Sequence, residues 1–231
     1  MRAEDAAERR GVRVEFLEAV LSTVVRPTWR GLIHRWSTVV AIPAFIVLIS
    51  LADSASARIA MAIYGVGVAT MLGVSAVYHS GRLSPVAERR FKRFDHATIL
   101  LAVTGSYTAV TTLSLRGRPE VTLLVFVWTA ATIGIVIRMA WLHAPRPVVI
   151  AVYLVVGWSA LIEIGALSEA LNAIDTTLLW TGGGLYSAGA VVYAAKRPNP
   201  WPRTFGFHEV FHALVAGAAT IHYVLVMRLA L

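Results

Sequence analysis

His208 and His212 stand four residues apart at the head of an apolar run that reaches Leu231. At about 100° per residue, that interval puts both imidazoles on one helix face, one turn apart, where two ring nitrogens can share one tetrahedral cation. Read literally, His208-Glu209-Val210-Phe211-His212 also satisfies the HExxH pattern, in which two histidines bind zinc and the glutamate is the general base of a metalloprotease. Glu209 is turned about 100° from the face the histidines share, which takes it off the position such a base must hold. The chain contains no cysteine. Any metal must therefore be held by histidine, carboxylate or water.

The elements that position this pair are membrane helices. The 231 residues are 57% hydrophobic and 15% charged, with a mean hydropathy of +0.68, too apolar for a soluble domain of this length. Gaps between charged side chains mark seven spans: Trp36 to Ala52, Ile59 to Gly81, His96 to Leu115, Val121 to Ile137, Pro147 to Ile162, Thr176 to Ala195 and Val210 to Met227. Each is close to the roughly 20 residues that a helix needs to cross the hydrocarbon layer. Short connections and the lack of a composition break predict one all-α bundle over residues 36–231, preceded by a cytoplasmic leader over 1–35. Within the leader, Val12 to Val25 carries Phe16, Val20 and Val24 beside Leu17, Leu21 and Val25, with Arg13, Glu15 and Glu18 opposite, the pattern of an amphipathic interfacial helix. Glu4, Asp5 and Glu8 argue against a cleaved signal peptide.

The formal net charge of +8 follows topology rather than a nucleic-acid partner. Basic residues crowd the segment before span one, the connection Arg82 to Arg93, the flanks Arg138 and Arg146, and the loop holding Lys196, Arg197 and Arg203. Only Arg58, Arg116, Arg118 and Arg228 fall on the other side. The positive-inside rule then sets the amino terminus in the cytoplasm and the carboxyl terminus outside, in a multi-pass protein of the inner (plasma) membrane. Anionic lipid head groups are the partner this predicts for the basic loops. The glycines of Gly65-Val66-Gly67 and Gly182-Gly183-Gly184 lie within spans and are assigned to close helix packing rather than phosphate binding.

Alternating direction brings further polar residues to one depth. His79 lies at the inner end of span two, Asp95 at the inner start of span three, and His208 and His212 in the first turns of span seven. Three imidazoles and a water form the coordination of a catalytic zinc, in which the water's pKa falls toward 7. Ser75, one turn before His79, could serve a substrate carbonyl or the metal's water, or bond back to the Met71 carbonyl. Asp95 by itself could instead be a helix N-cap. His34, His96, His143 and His222 read as interfacial or packing residues, and Glu163 as a carboxylate on the outer rim.

Ser75-Ala76-Val77-Tyr78-His79, Arg93-Phe94-Asp95-His96 leading into Thr104-Gly105-Ser106-Tyr107-Thr108, Lys196-Arg197-Pro198, and Phe207 to His212 occur in an order and spacing that closely resemble the hemolysin III family. That family is the bacterial branch of the progestin and adipoQ receptors, which include the adiponectin receptors. The likeness runs from about Arg30, including Arg30-Gly31-Leu32-Ile33-His34, to the end of the chain. It implies a seven-helix bundle with one Zn2+ near the cytoplasmic face, ligated by His79, His208 and His212, with Asp95 as the acid near the metal's water and Ser75 one turn from the first ligand. The animal receptors carry Gln between the last two histidines, which weakens Glu209 as an essential base. The wider superfamily includes alkaline ceramidases, so the implied reaction is hydrolysis of a lipid amide, with Asp95 moving the proton and Ser75 or the metal steadying the oxyanion. The family's name also implies a pore-former, and its receptor branch a sensor whose zinc is structural.

Overall fold

The computed structural model describes residues 27–231 apart from 80, 82, 142 and 143. The helix expected over Val12 to Val25, the rest of the leader before Pro27, and His143 lie outside the described residues. Every regular element among the described residues is helical: α1 (Leu32–Ser50), α2 (Ala55–Tyr78), α3 (Pro85–Ser114), α4 (Arg118–Ala140), α5 (Arg146–Gly157), α6 (Ile164–Ala170), α7 (Ala173–Ala195) and α8 (Phe207–Ala230). A 3₁₀ segment, Ser159–Glu163, joins α5 to α6, and the three together make one crossing, so the eight labels describe seven passes. Six passes are long and apolar enough to cross a membrane. The other is α7, as long as α4 at 23 residues but carrying Asp175 and a run of threonines and glycines.

Local chemistry sets the ends of these helices. Ser54 accepts from the Ala57 N–H at 3.1 Å to open α2, and Ser84 accepts from Ala87 at 3.4 Å with Pro85 in the first turn of α3. Asn172 accepts from Ile174 and Asp175 at 2.9 and 3.0 Å to open α7. Two boundaries depart from the spans read off the charge gaps. α3 begins at Pro85 rather than near His96, because a charge gap marks the hydrocarbon boundary while this helix continues beyond it through Glu88 and Arg93. Asp95 therefore sits in the third turn and is no N-cap. The fifth pass breaks after Gly157, where the Tyr107 hydroxyl donates to the Gly157 carbonyl at 2.7 Å and accepts from the Ala160 N–H at 2.9 Å. A side chain from α3 thus satisfies the backbone groups that the break frees, as apolar surroundings require.

The passes close a ring in which α3 touches α2, α4, α5 and α8, while α1 and α7 flank α8. One cluster of buried side chains, around Met61, Tyr64, Leu72, Val215 and Leu225, joins α2, α3 and α8; another, around Leu100, Leu123, Val127 and Leu167, joins α3, α4 and the broken pass. Small residues let α2 and α3 approach: a Cβ on Gly67 would meet the Leu101 carbonyl oxygen at 2.7 Å, and one on Gly105 the Ile63 carbonyl oxygen at 3.0 Å. In α7 the packing account holds for Gly182, whose Cβ would strike the His222 ring, but fails for Gly183 and Gly184. Nothing lies within 4 Å of a Cβ at either: Gly183 lines an internal cavity and Gly184 is exposed.

Candidate metal centre

His79 closes α2 as its C-cap, with its N–H on the Ser75 carbonyl at 2.9 Å. His208 and His212 occupy the first two turns of α8. The ring nitrogens of His79 and His208 stand 3.1 Å apart, Nε2 to Nε2, and one nitrogen from each of the three histidines lies within 4.8 Å of the others. A tetrahedral cation with metal–nitrogen distances of about 2.0–2.1 Å holds its ligand nitrogens about 3.3 Å apart. The three imidazoles thus fit a metal ion, in an arrangement that needs only two helix ends to be brought together.

Asp95 reaches the same centre from α3, with Oδ2 4.0 Å from His79 Nε2. Ser75 and Asp95 line the same end of one cavity. All five residues singled out from the sequence therefore meet at one end of the bundle. Glu209 does not join them at the centre. It is 1% exposed, accepts from Arg30 Nε at 2.5 Å, and accepts from the Gly206 N–H at 2.8 Å through its other oxygen. The carboxylate caps α8 and clamps the chain ahead of α1 onto it.

That clamp brings in residues the sequence reading left outside. Thr28 and Trp29 donate from their backbone to the carbonyls of Arg203 and Thr204, each at 3.2 Å, folding the segment before α1 over the loop before α8. Gly31, at φ +80°, turns the chain so closely under α2 that a Cβ would lie 3.0 Å from the His79 Cβ. His34, in the first turn of α1, then stacks on His212 with ring centroids 3.9 Å apart and planes 7° from parallel. It is buried, and neither of its ring nitrogens has a hydrogen-bond partner among the described residues. The depth argument that found His79 would also have found His34, had the first span been started at Leu32 instead of Trp36.

A cavity of about 340 Å³ opens from this centre. Its histidine end carries Ser75, Asp95, Lys92 and Arg30, and its walls run through Ile99, Val103, Leu123, Leu167 and Leu179 to Thr111 and His222 near the opposite end of the bundle. His222 Nε2 donates to the Leu179 carbonyl at 3.3 Å. Glu163 lies at the far end of the 3₁₀ segment, away from the centre.

A family model described as haemolysin-III related matches residues 22–223. Hemolysin-3 of Bacillus cereus is 31% identical over 197 residues, covering 84% of this chain and 87% of that protein. The Hemolysin-3 homolog of Bacillus subtilis (strain 168) is 28% identical over 212 residues, covering 89% and 94%. The human protein named Monocyte to macrophage differentiation factor is 26% identical over 194 residues, covering 82% and 78%.

Proposed function

The chain belongs to the haemolysin-III related family, and from that premise and the geometry of its histidine end we propose that it is a zinc-dependent hydrolase of membrane lipids. One observation carries the reading: three imidazole nitrogens within 4.8 Å of one another lie beside a carboxylate at the polar mouth of an otherwise apolar cavity. Such a cavity suits an amphiphile with its head at the histidines and its chain between the helices. His79, His208 and His212 would hold the ion. Bound there, zinc supplies a water acidic enough to ionise near neutral pH and a Lewis acid for a carbonyl.

The protein's own groups divide the remaining work. Asp95 Oδ2, 4.0 Å from His79 Nε2, stands within one water's length of the centre, where it can take a proton from the attacking water and pass it to the leaving amine. Ser75, which lines the same end of the cavity, can donate to the developing oxyanion. The walls exclude bulk water, which strengthens each of these interactions. A lipid amide of the ceramide kind is the substrate class we favour, in keeping with the family's kinship to ceramidases.

The same end of the bundle gathers Arg30, Arg35, Arg89, Arg90, Lys92, Arg93, Lys196, Arg197 and Arg203, while Arg58, Arg116, Arg118 and Arg228 lie at the other. This asymmetry supports a centre at the cytoplasmic face of the plasma membrane, with the carboxyl terminus outside and anionic head groups against the basic loops.

Metal analysis beside a lipid hydrolysis screen tests the proposal. Wild type should hold about one zinc per chain and release fatty acid; His208→Ala should lose both. Asp95→Ala should keep the metal and lose about 10²–10⁴-fold in rate. Wild-type protein free of stoichiometric metal would sink the proposal.

A further inference from the structure

His96 follows Asp95 on α3 and is turned about 100° away from it, toward α4 and α5. There Nη2 of Arg138, from the last turn of α4, lies against Nδ1 of His96. The Tyr153 hydroxyl from α5 donates to the His96 carbonyl at 2.9 Å, so ring and backbone are both held. Arg138 is 2% exposed. Its Nε and Nη1 have no partner among the described residues, which makes Nη2 its anchoring contact.

A guanidinium is a donor at every nitrogen and an acceptor at none. Its hydrogen bond to Nδ1 therefore requires a lone pair on Nδ1. A proton there, in the other neutral tautomer or in an imidazolium, would set two donors face to face. The ring's one proton is thus on Nε2, a choice fixed by the neighbour on the opposite nitrogen. Nε2 has no protein partner among the described residues, and His96 lines the same cavity as Asp95, Lys92, Tyr153 and Arg30. Removing a donor from water without a partner costs free energy, so a cavity-facing N–H is a place for a ligand acceptor.

We propose that His96, locked by Arg138 in the Nε2–H tautomer, is a specificity-determining hydrogen-bond donor to an anionic oxygen on the head of the amphiphile bound in the cavity. The inference rests on the lipid reading above and adds the head-group chemistry. Lys92 at the mouth and the buried guanidinium behind the ring favour a charged acceptor over a neutral one; Arg30, also at the mouth, is already paired with Glu209. A carboxylate, which amide hydrolysis leaves on the acyl product, and a phosphate monoester, which a phosphorylated lipid amide carries, share that chemistry.

The test measures binding of three probes with one chain, oleate, oleyl phosphate and oleylamine, to the full-length protein in lipid nanodiscs. A hydrogen bond to a charged group corresponds to roughly a ten- to hundredfold effect. His96→Phe should weaken oleate or oleyl phosphate by that factor, whichever is the natural head, and leave oleylamine within about twofold. His96→Gln, which restores an N–H near the Nε2 position, should recover much of the loss, and zinc content should not change in either variant. In unmutated protein, ¹⁵N-histidine NMR should place the His96 proton on Nε2; a proton on Nδ1 overturns the assignment whatever the variants do. Equal weakening of oleate and oleylamine, or none of either anion, overturns it as well. If those failures occur in protein that holds zinc and cleaves lipid, the hydrolase reading stands and the His96 role alone falls. If wild type lacks zinc and cleavage but still binds an anionic probe through His96, the hydrolase reading falls and the donor remains.

Discussion

Glu209 accepts from Arg30 at 2.5 Å and from the Gly206 N–H at 2.8 Å while only 1% exposed. Glu209→Ala leaves a cation and a backbone donor without their acceptor. Loss of one partner from a wholly buried pair costs about 3–5 kcal/mol; with Arg30 still 23% exposed, water screens part of that, and about 2–3 kcal/mol is expected. Glu209→Gln keeps an acceptor for Gly206 and should cost less. Both variants should retain full metal stoichiometry, measured alongside the thermal midpoint. A folded Glu209→Gln that keeps zinc but loses hydrolysis by several orders of magnitude would instead restore the glutamate as general base. The centre itself was legible because helical spacing fixes which side chains share a face and alternating direction fixes their depth. His79, Asp95, Ser75, His208 and His212 needed only those two rules. His34 needed only a first span begun at Leu32, but Arg30 needed a third rule, the fold of the segment before α1 over the loop before α8, which rests on backbone hydrogen bonds and leaves no periodicity to read.

At the scale of elements, three described connections carry glycine with positive φ, at Gly31, Gly81 and Gly117, and the first and last of them are the ones to compare. Gly31 (φ +80°) lies under α2 with a Cβ position 3.0 Å from His79 Cβ, whereas Gly117 (φ +70°), in the turn before α4, has nothing within 4 Å. Alanine at Gly31 (ψ −12°) incurs the left-handed strain of an L residue, about 1–2 kcal/mol, and alanine at Gly117 (ψ −134°), outside the left-handed region, incurs at least as much. Only at Gly31 must the neighbour also move, and that neighbour is a ligand. Gly31→Ala should therefore lower zinc affinity about ten- to hundredfold, the range seen when support for a metal ligand is lost. Gly117→Ala should show at least as large a loss of thermal stability with zinc binding unchanged. Equal zinc affinity in the two variants would mean that the α1 entry does not position His79. Seven helical stretches, six of them apolar enough to cross a membrane, were readable from charge gaps because hydrocarbon excludes charge, and the same physics hid two features. It is blind to a helix that runs on into water, as α3 does from Pro85, and to a break inside the apolar layer, as at Gly157. That break is held by Tyr107 from another pass, a long-range contact with no local signature.

For the whole molecule, the ring of helices encloses a passage with one polar end, and its length is a property of the assembly rather than of any residue. Gly183 lines this passage and has open space where a Cβ would stand, one turn before Ser187, which receives the Trp158 indole N–H at 3.1 Å. Gly183 lies on α7, away from the ends of α2 and α8 that carry the three histidines. A leucine there adds a branched side chain to the wall facing α5, where the lipid chain of the proposed substrate must lie. Helix propensity favours Leu over Gly by up to about 1 kcal/mol, so the variant should fold and hold one zinc. The hydrolase reading then requires a split by chain length: kcat/KM for long-chain lipid amides should fall at least about tenfold, while short-chain analogues that occupy only the histidine end should be cleaved at close to the wild-type rate. The measurement is a chain-length series on wild type and Gly183→Leu in the same nanodiscs. A uniform loss across the series would place the damage at the centre. No loss at any length, with zinc and cleavage intact, would mean that the chain leaves the bundle sideways near Asp95 rather than threading between α5 and α7.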